Sequence, residues 1–193
     1  MNLVDRAKNL ILTPAAEWDK ISAEAHTVQG LYTGWIMILA AIPAIAAFVG
    51  YSIIGIGVFG MSYRVPVVSG IASAIASYLL TLGGVYVFAL VIDALSPKFG
   101  GEKNFMQAFK VAAFAPVASW LAGVFSILPA LSILGLLGLY SLYLLYVGLP
   151  RLMKTPAEKA LPYTVVVILV GIVISLVAGA VSAFMLPGRP MGL

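Results

Sequence analysis

The sequence predicts an all-α fold, a polytopic integral membrane bundle of five transmembrane helices, and three observations carry that prediction. Of the 193 residues, 62% are hydrophobic and only 9% are charged, against about 45–50% and about 25% in a typical soluble domain. The apolar residues form long runs, each near the roughly 20 residues that one spanning helix takes. The charged residues collect between these runs. Such a composition excludes a soluble globule and a disordered chain, and the absence of cysteine excludes a disulfide scaffold.

Charge and proline positions divide the chain into three parts. Residues 1–29 contain no spanning run and form a cytoplasmic or interfacial N-terminal segment. Residues 30–186 form the membrane domain, and residues 187–193 form a short outer tail. The expected spans are 31–53, 70–93, 105–128, 131–149 and 163–184.

The N-terminal segment has the pattern of a helix that lies on the membrane surface. Its first twelve residues place apolar side chains at helical spacing, with Asp5, Arg6 and Lys8 mostly on the other side. This pattern predicts a short interfacial amphipathic helix. A Thr-Pro pair then begins a second helix, in which Trp18 is expected to anchor at the lipid headgroups.

The basic residues alternate between the two sides of the predicted spans. Nine of the eleven fall on the side of the N-terminus, and only Arg64 and Arg189 fall on the other. Because basic residues favour the cytoplasmic side, the N-terminus is predicted to be cytoplasmic and the C-terminus outside. The nine are Arg6, Lys8, Lys20, Lys98, Lys103, Lys110, Arg151, Lys154 and Lys159.

Two ionisable residues fall within or beside the apolar runs, where a charge is costly and therefore of interest. Asp93 and Lys110 lie near the cytoplasmic ends of neighbouring spans. They are a candidate polar pair that joins the two helices or forms a polar site. The alternative is an interfacial anchor at Lys110 and a carboxylate satisfied at its helix end at Asp93.

Two prolines near the middle of spans, Pro43 and Pro116, are candidate helix kinks. Broken helices at the membrane midplane frame substrate sites in some transporters, so a cavity is expected near them if the protein is a transporter. Proline is also tolerated in membrane helices without any such role.

A run of small residues at every fourth position of the last span predicts a packing face. Gly171, Ser175, Gly179 and Ala183 allow close approach of a second helix. That helix belongs either to the same chain or to a second copy.

No residue pattern points to catalysis, a metal or a cofactor. The chain has a single histidine and no cysteine. Glu17, Asp19, Glu24 and His26 lack the spacing of a metal centre, and solvated charge is the simpler interpretation. Nucleotide-binding and hydrolase motifs are missing from the sequence. No stripe of basic and aromatic residues indicates nucleic-acid binding.

Three stretches resemble the YIP family (Ypt/Rab-interacting proteins), in its compact bacterial branch. They are LILTPAAEWDKI, FGGEKNFMQAFKVAAFAPVASWLAGVFSILP and YSLYLLYVGLPRLMKTPAEKALPYTVVVILV. The resemblance implies five spans with a cytoplasmic N-terminus in a bacterial inner membrane. Eukaryotic members contact Rab GTPases and membrane-shaping proteins, but this chain lacks their long N-terminal extension and DLYGP-type motif, which argues against Rab contact.

Two classes of function follow. The first is a non-catalytic membrane scaffold, adaptor or organiser, whose partners are the lipid bilayer and either its own copies or other membrane proteins. The second is a small channel or transporter with a cavity near Pro43 and Pro116.

Overall fold

Apolar runs punctuated by proline and glycine form helices along most of the chain in a computed structural model. The structure describes the backbone of residues 2–58 and 61–185, and the side chains of residues 2–55, 64–128, 130–177 and 179–180. In these ranges the α-helices are α1 (Leu3–Leu12), α2 (Pro14–Ala23), α3 (Val28–Leu31), α4 (Met37–Phe48), α5 (Val67–Leu95), α6 (Phe105–Phe114), α7 (Val117–Ala122), α8 (Tyr140–Met153) and α9 (Ala157–Met185).

Shorter turns of other kinds join several of these helices. Two π-helical segments, Tyr32–Ile36 and Val49–Ile54, flank α4. Three 3₁₀ segments, Ser96–Phe99, Gly123–Ile127 and Pro129–Leu139, follow α5, follow α7 and precede α8. A short antiparallel hairpin pairs β1 (Ile56–Val58) with β2 (Met61–Tyr63), in the glycine-rich stretch after the first span. Apart from this hairpin, the described chain consists of helices and the short loops and turns between them, and the all-α fold class is confirmed.

Five stretches of the described residues are long and apolar enough to cross a membrane, as the composition predicts. These five spans are Val28–Ile54, Val67–Phe99, Phe105–Ile127, Ala130–Met153 and Ala157–Val177. The third and fourth are irregular. Pro116 separates α6 from α7, because proline offers no N–H to the carbonyl four residues earlier, and the fourth begins as a 3₁₀ helix.

The buried core lies toward the end of the bundle that carries most of the basic residues. In α5 the buried apolar residues are Val85, Ala89 and Ile92, all in its second half. In the described part of α9 the buried apolar residues fall within 160–167, in its first half. The described side chains in the opposite halves of both helices are mostly exposed or half-buried. Helices α5 and α9 are therefore most deeply packed at the basic end of the bundle.

Candidate functional site

The N-terminal helices α1 and α2 fold into a helical hairpin, called here the N-terminal hairpin (residues 3–23). The Asn2 side chain accepts a hydrogen bond from the Val4 N–H and starts α1. Thr13 ends α1 by donating its N–H to the Asn9 carbonyl, and Pro14 begins α2. The Thr13 hydroxyl also donates to the Asn9 carbonyl, so one residue ends α1 and directly precedes α2, and the two helices turn back on each other.

A buried ion-pair cluster joins the two arms of this hairpin to the chain that follows it. The Arg6 guanidinium lies 2.9 Å from a Glu17 carboxylate oxygen and 2.6 Å from one of Glu24. The side chains of Arg6 and Glu17 are 5% and 4% exposed. Removing charges from water is costly unless each is paired, so Arg6 needs these carboxylates for the hairpin to stay closed.

Glu24 is the residue that links this cluster to the start of the first span. Its carboxylate accepts from Arg6 and lies 3.0 Å from the His26 ring nitrogen Nε2. Burial raises the pKa of Glu24, but the hydrogen bonds and charges of Arg6 and His26 outweigh it and hold the pKa below its usual value. Burial lowers the pKa of His26, and Lys110 and Arg6 add to this effect against the opposing charge of Glu24.

Lys110 caps the C-terminal end of α2. Its ammonium nitrogen lies 2.9 Å from the Ile21 carbonyl oxygen, 3.2 Å from that of Ser22 and 2.6 Å from that of Glu24. The last carbonyls of a helix have no partner within the helix and carry its negative dipole end. A buried ammonium with three carbonyl acceptors satisfies both groups at once. Gln107, one turn earlier, also donates to the Ser22 carbonyl.

The predicted pair of Asp93 and Lys110 is not formed. Lys110 is only 2% exposed and points to α2. Asp93 is buried in the last turn of α5, beside Ile92, whose carbonyl accepts a hydrogen bond from the Tyr163 hydroxyl. No ion pair reaches Asp93 from any residue whose side chain the structure describes. Lys110 therefore belongs to the contact with α2, whereas Asp93 lies where α5 meets Tyr163 of α9.

Trp18 is buried inside the bundle and is not a headgroup anchor, so that expectation was wrong. Its ring packs edge-on against Phe114, with the ring centroids 6.4 Å apart. On its other side it contacts Gly148 of α8, where an added Cβ would come within 2.6 Å of the indole. Trp35 also contacts Phe114 and donates its indole N–H to the Ala113 carbonyl. Phe114 thus joins the hairpin to the first and third spans.

Replacing Gly148 with alanine is expected to displace Trp18 and destabilise the protein by about 1–3 kcal/mol, the usual cost of overfilling a packed core. Thermal unfolding in detergent measures the loss, and a shift in tryptophan emission reports the displaced ring. Gly83→Ala is the control, because a Cβ at Gly83 meets no described atom within 4 Å. Equal stability of the two variants would contradict the contact.

The turn of the hairpin reaches far along the bundle. The Tyr140 hydroxyl, at the start of α8, donates to the Ile11 carbonyl at 2.9 Å. At the other end of α8, Arg151 lies 3.3 Å from Asp19. The hairpin therefore runs alongside most of α8, with its turn away from the basic loops.

The acidic residues that were considered as metal ligands form ion pairs instead. Glu17 and Glu24 pair with Arg6, and Asp19 pairs with Arg151. Among the described residues, no group of three or more metal-ligating side chains is close enough to hold an ion.

The two candidate kinks have different surroundings. Pro116 and Trp120 line a cavity of about 690 Å³ between α5, α8, α9 and the kinked third span. Pro43 instead packs closely against Gly123, where an added Cβ would come within 2.6 Å of the proline ring. Only the Pro116 kink thus borders this cavity.

The predicted packing face of the last span is only partly in contact. Gly171 packs against the Phe88 ring, 3.1 Å from the position of an added Cβ. Ser175 hydrogen-bonds to the Gly171 carbonyl within its own helix. Gly179 has no described atom within 4 Å of an added Cβ, so a close contact there is not seen. The side chain of Ala183 lies outside the described residues.

The fold and this site define a multi-pass α-helical membrane protein in which the N-terminal hairpin is packed into the spanning bundle. The chain belongs to the Yip1 domain family, because the model of that family matches residues 8–179. The resemblance to the YIP family is thus confirmed.

Curated relatives agree with this assignment. The chain is 27% identical over 117 residues to the inner membrane protein YohC of Escherichia coli strain K12, and equally similar to YohC of Escherichia coli O6:H1. The match covers 60% of this chain and 60% of the length of each relative. No solved structure matches the chain.

Proposed function

We propose that the protein is a non-catalytic organiser of the bacterial inner membrane, which shapes the bilayer by inserting its N-terminal hairpin into one leaflet. Membership of the Yip1 domain family and the similarity to an inner membrane protein support the location. The single observation that carries the mechanism is the position of the hairpin along the spans.

The contacts of the hairpin are ordered by depth. Lys110, which caps the end of α2, lies five residues from the start of the third span, or about 7.5 Å along it. Tyr140, which binds the end of α1, lies thirteen residues from the end of the fourth span, or about 20 Å along it. The hydrocarbon layer is about 30 Å thick, so the turn of the hairpin is near its middle.

The composition of the turn supports the same placement. Residues 10–16 read LILTPAA and carry no charge, whereas Asp5, Lys8, Asp19 and Lys20 lie nearer the open end of the hairpin. Leu12 is 65% exposed at the turn. An exposed leucine at the turn is well placed in lipid and poorly placed in water.

An inserted hairpin makes the bundle broader in one leaflet. On the basic side, the two hairpin helices add to the five spans and fill the core around Phe114. Toward the other side, the described side chains of α5 and α9 are mostly exposed or half-buried. A body that is wider in one leaflet favours a bilayer that is convex on that side. The positive-inside rule assigns that side to the cytoplasm, with the N-terminus inside and the C-terminus outside.

Reconstitution tests this proposal. Purified protein is inserted into vesicles of defined size at rising protein-to-lipid ratio, and vesicle diameters are measured by electron cryomicroscopy. Diameters are expected to fall when the basic side faces outward. The change should be weaker in Leu12→Asp, which places a charge at the turn. Val4→Asp is the matched control, because Val4 is equally exposed on α1 but lies at its outer end. Unchanged diameters for the wild type would contradict the proposal.

The same vesicles test the second candidate, a small channel or transporter. The cavity beside Pro116 is the observation that favours it. Flux of ions and small solutes that is lost in Pro116→Ala would support a transporter and count against an organiser. No flux together with narrower vesicles supports the organiser.

The partners in this proposal are the lipid bilayer and, at high density, further copies of the chain or other membrane proteins. No nucleic acid or cofactor takes part in it. Contact with a Rab-type GTPase is not part of it either.

A further inference from the structure

The geometry points to a binding site for one acyl chain of a bilayer phospholipid in the cavity beside Pro116. This inference is independent of membrane shaping, since it concerns the space between α5, α9 and the third span rather than the N-terminal hairpin.

The walls of the cavity come entirely from spanning helices. α5 and α9 form two sides, and the kinked third span, with Pro116 and Trp120, forms the back. The contact between Phe88 and Gly171 narrows it at one end. The lining includes exposed apolar residues of the spans, Leu142 of α8 and Ile172 and Leu176 of α9, so the cavity borders the surface that faces bilayer lipid.

The hydroxyl groups in the walls already donate within their own helices. The hydroxyls of Ser77, Thr81 and Ser175 donate to the carbonyls of Ala74, Ser77 and Gly171. Because these hydroxyl groups already donate within their own helices, a polar solute would lose its hydrogen bonds to water without gaining hydrogen bonds from them. An alkyl chain loses no hydrogen bond on entry and gains contacts with the walls.

The size of the cavity suits a single flexible chain. A volume of about 690 Å³ is within the range of roughly 300–1,000 Å³ for small-molecule sites. A site of this size holds one alkyl chain, and a second copy of the protein is the alternative occupant that the oligomeric state tests.

Two adjacent glycines of α5 provide a matched test. Gly84 lines the cavity and Gly83 does not, and an added Cβ meets no described atom within 4 Å at either position. Gly84→Leu should fill the site without breaking the fold, and Gly83→Leu makes the same change outside it. Gly179→Leu is a second way to fill the site from α9.

The probe is a phosphatidylcholine with a brominated acyl chain, added to protein stripped of lipid in detergent. Saturable quenching of tryptophan emission is expected in the wild type and in Gly83→Leu, and its loss is expected in Gly84→Leu, Gly179→Leu and Trp120→Phe. No saturable quenching in the wild type would overturn the inference, as would undiminished quenching in the folded Gly84→Leu variant. A wild-type dimer that Gly84→Leu converts to a monomer, without any quenching by lipid, would assign the cavity to a second copy instead.

Discussion

Replacing Lys110 with methionine is expected to release the N-terminal hairpin from the bundle and to lower the free energy of unfolding by about 3–5 kcal/mol. The ammonium is buried and serves three carbonyls at the end of α2. Hydrogen bonds to a charged donor contribute about 1.5–3 kcal/mol each, and buried acceptors left without a partner add a further cost. Methionine keeps the length of the side chain but donates nothing.

Two measurements on purified protein test this. Thermal unfolding in detergent gives the stability. Labelling of Leu12→Cys in vesicles by a membrane-impermeant maleimide reports the turn of the hairpin, since the natural chain has no cysteine. Lys110→Met should raise this labelling severalfold. Lys103→Met is the control, because Lys103 is exposed just before α6. Equal effects of the two substitutions, or labelling of Leu12→Cys that does not change, would contradict the capping role.

Acid should destabilise the same region, and the direction of this pH dependence follows from the shifted pKa values of His26 and Glu24. The pKa of His26 is held below its ordinary value of 6.5 in the folded protein, so the unfolded chain takes up the proton first and stability falls as pH drops below 6.5. The pKa of Glu24 is held below 4.5, so its contribution is present above pH 4.5 and is lost as pH falls through the folded value.

Thermal midpoints in detergent from pH 7.5 to pH 4 test this dependence. His26→Gln should flatten the part of the curve just below pH 6.5 and leave the fall below pH 4.5 in place. A curve for His26→Gln that coincides with that of the wild type would show that His26 does not contribute.

The five spans were predictable because each is specified locally, by a run of apolar residues and the prolines and glycines around it. The contacts of the hairpin were not, because they join residues far apart in the sequence. Lys110 binds carbonyls 86 to 89 positions away, and no periodicity encodes such a partner. The sequence placed Asp93 beside Lys110 because both lie near the same membrane surface. The sequence did not indicate that the C-terminal end of α2 lies next to Lys110 and not next to Asp93.

The charges of the hairpin were assigned to solvent for a similar reason. A carboxylate at Glu17 is ordinarily an exposed residue, and only the arrival of Arg6 from the other arm makes its burial favourable. One signal was present: Glu17 and Ile21 are four residues apart and thus share a face of α2, and Ile21 is fully buried. The cavity was anticipated in part, at Pro116. Gly179 makes no close contact with the described part of this chain, so a packing role there stays a prediction that concerns a second copy.

Replacing Arg6 with methionine is expected to destabilise the protein by about 3–5 kcal/mol, because Glu17 is then left as a buried charge without its main partner. The partner substitution provides the decisive control. Arg6→Met together with Glu17→Met replaces the pair with apolar side chains, a change that is often neutral or stabilising in a buried site. Most of the lost stability should therefore return in the double variant.

Lys8→Met separates this effect from a general loss of positive charge, since Lys8 is exposed on the same helix and its removal should change the thermal midpoint little. The comparison needs only the midpoints of five proteins in one detergent: the wild type, Arg6→Met, Glu17→Met, the double variant and Lys8→Met. If the double variant is as unstable as the sum of the two single variants, the ion pair does not act as a unit. The hairpin would then depend chiefly on Lys110 and Trp18. Recovery in the double variant would instead show that replacing both Arg6 and Glu17 costs little stability, whereas removing one of them costs much. This is the result expected for two charges that are buried together inside a membrane bundle.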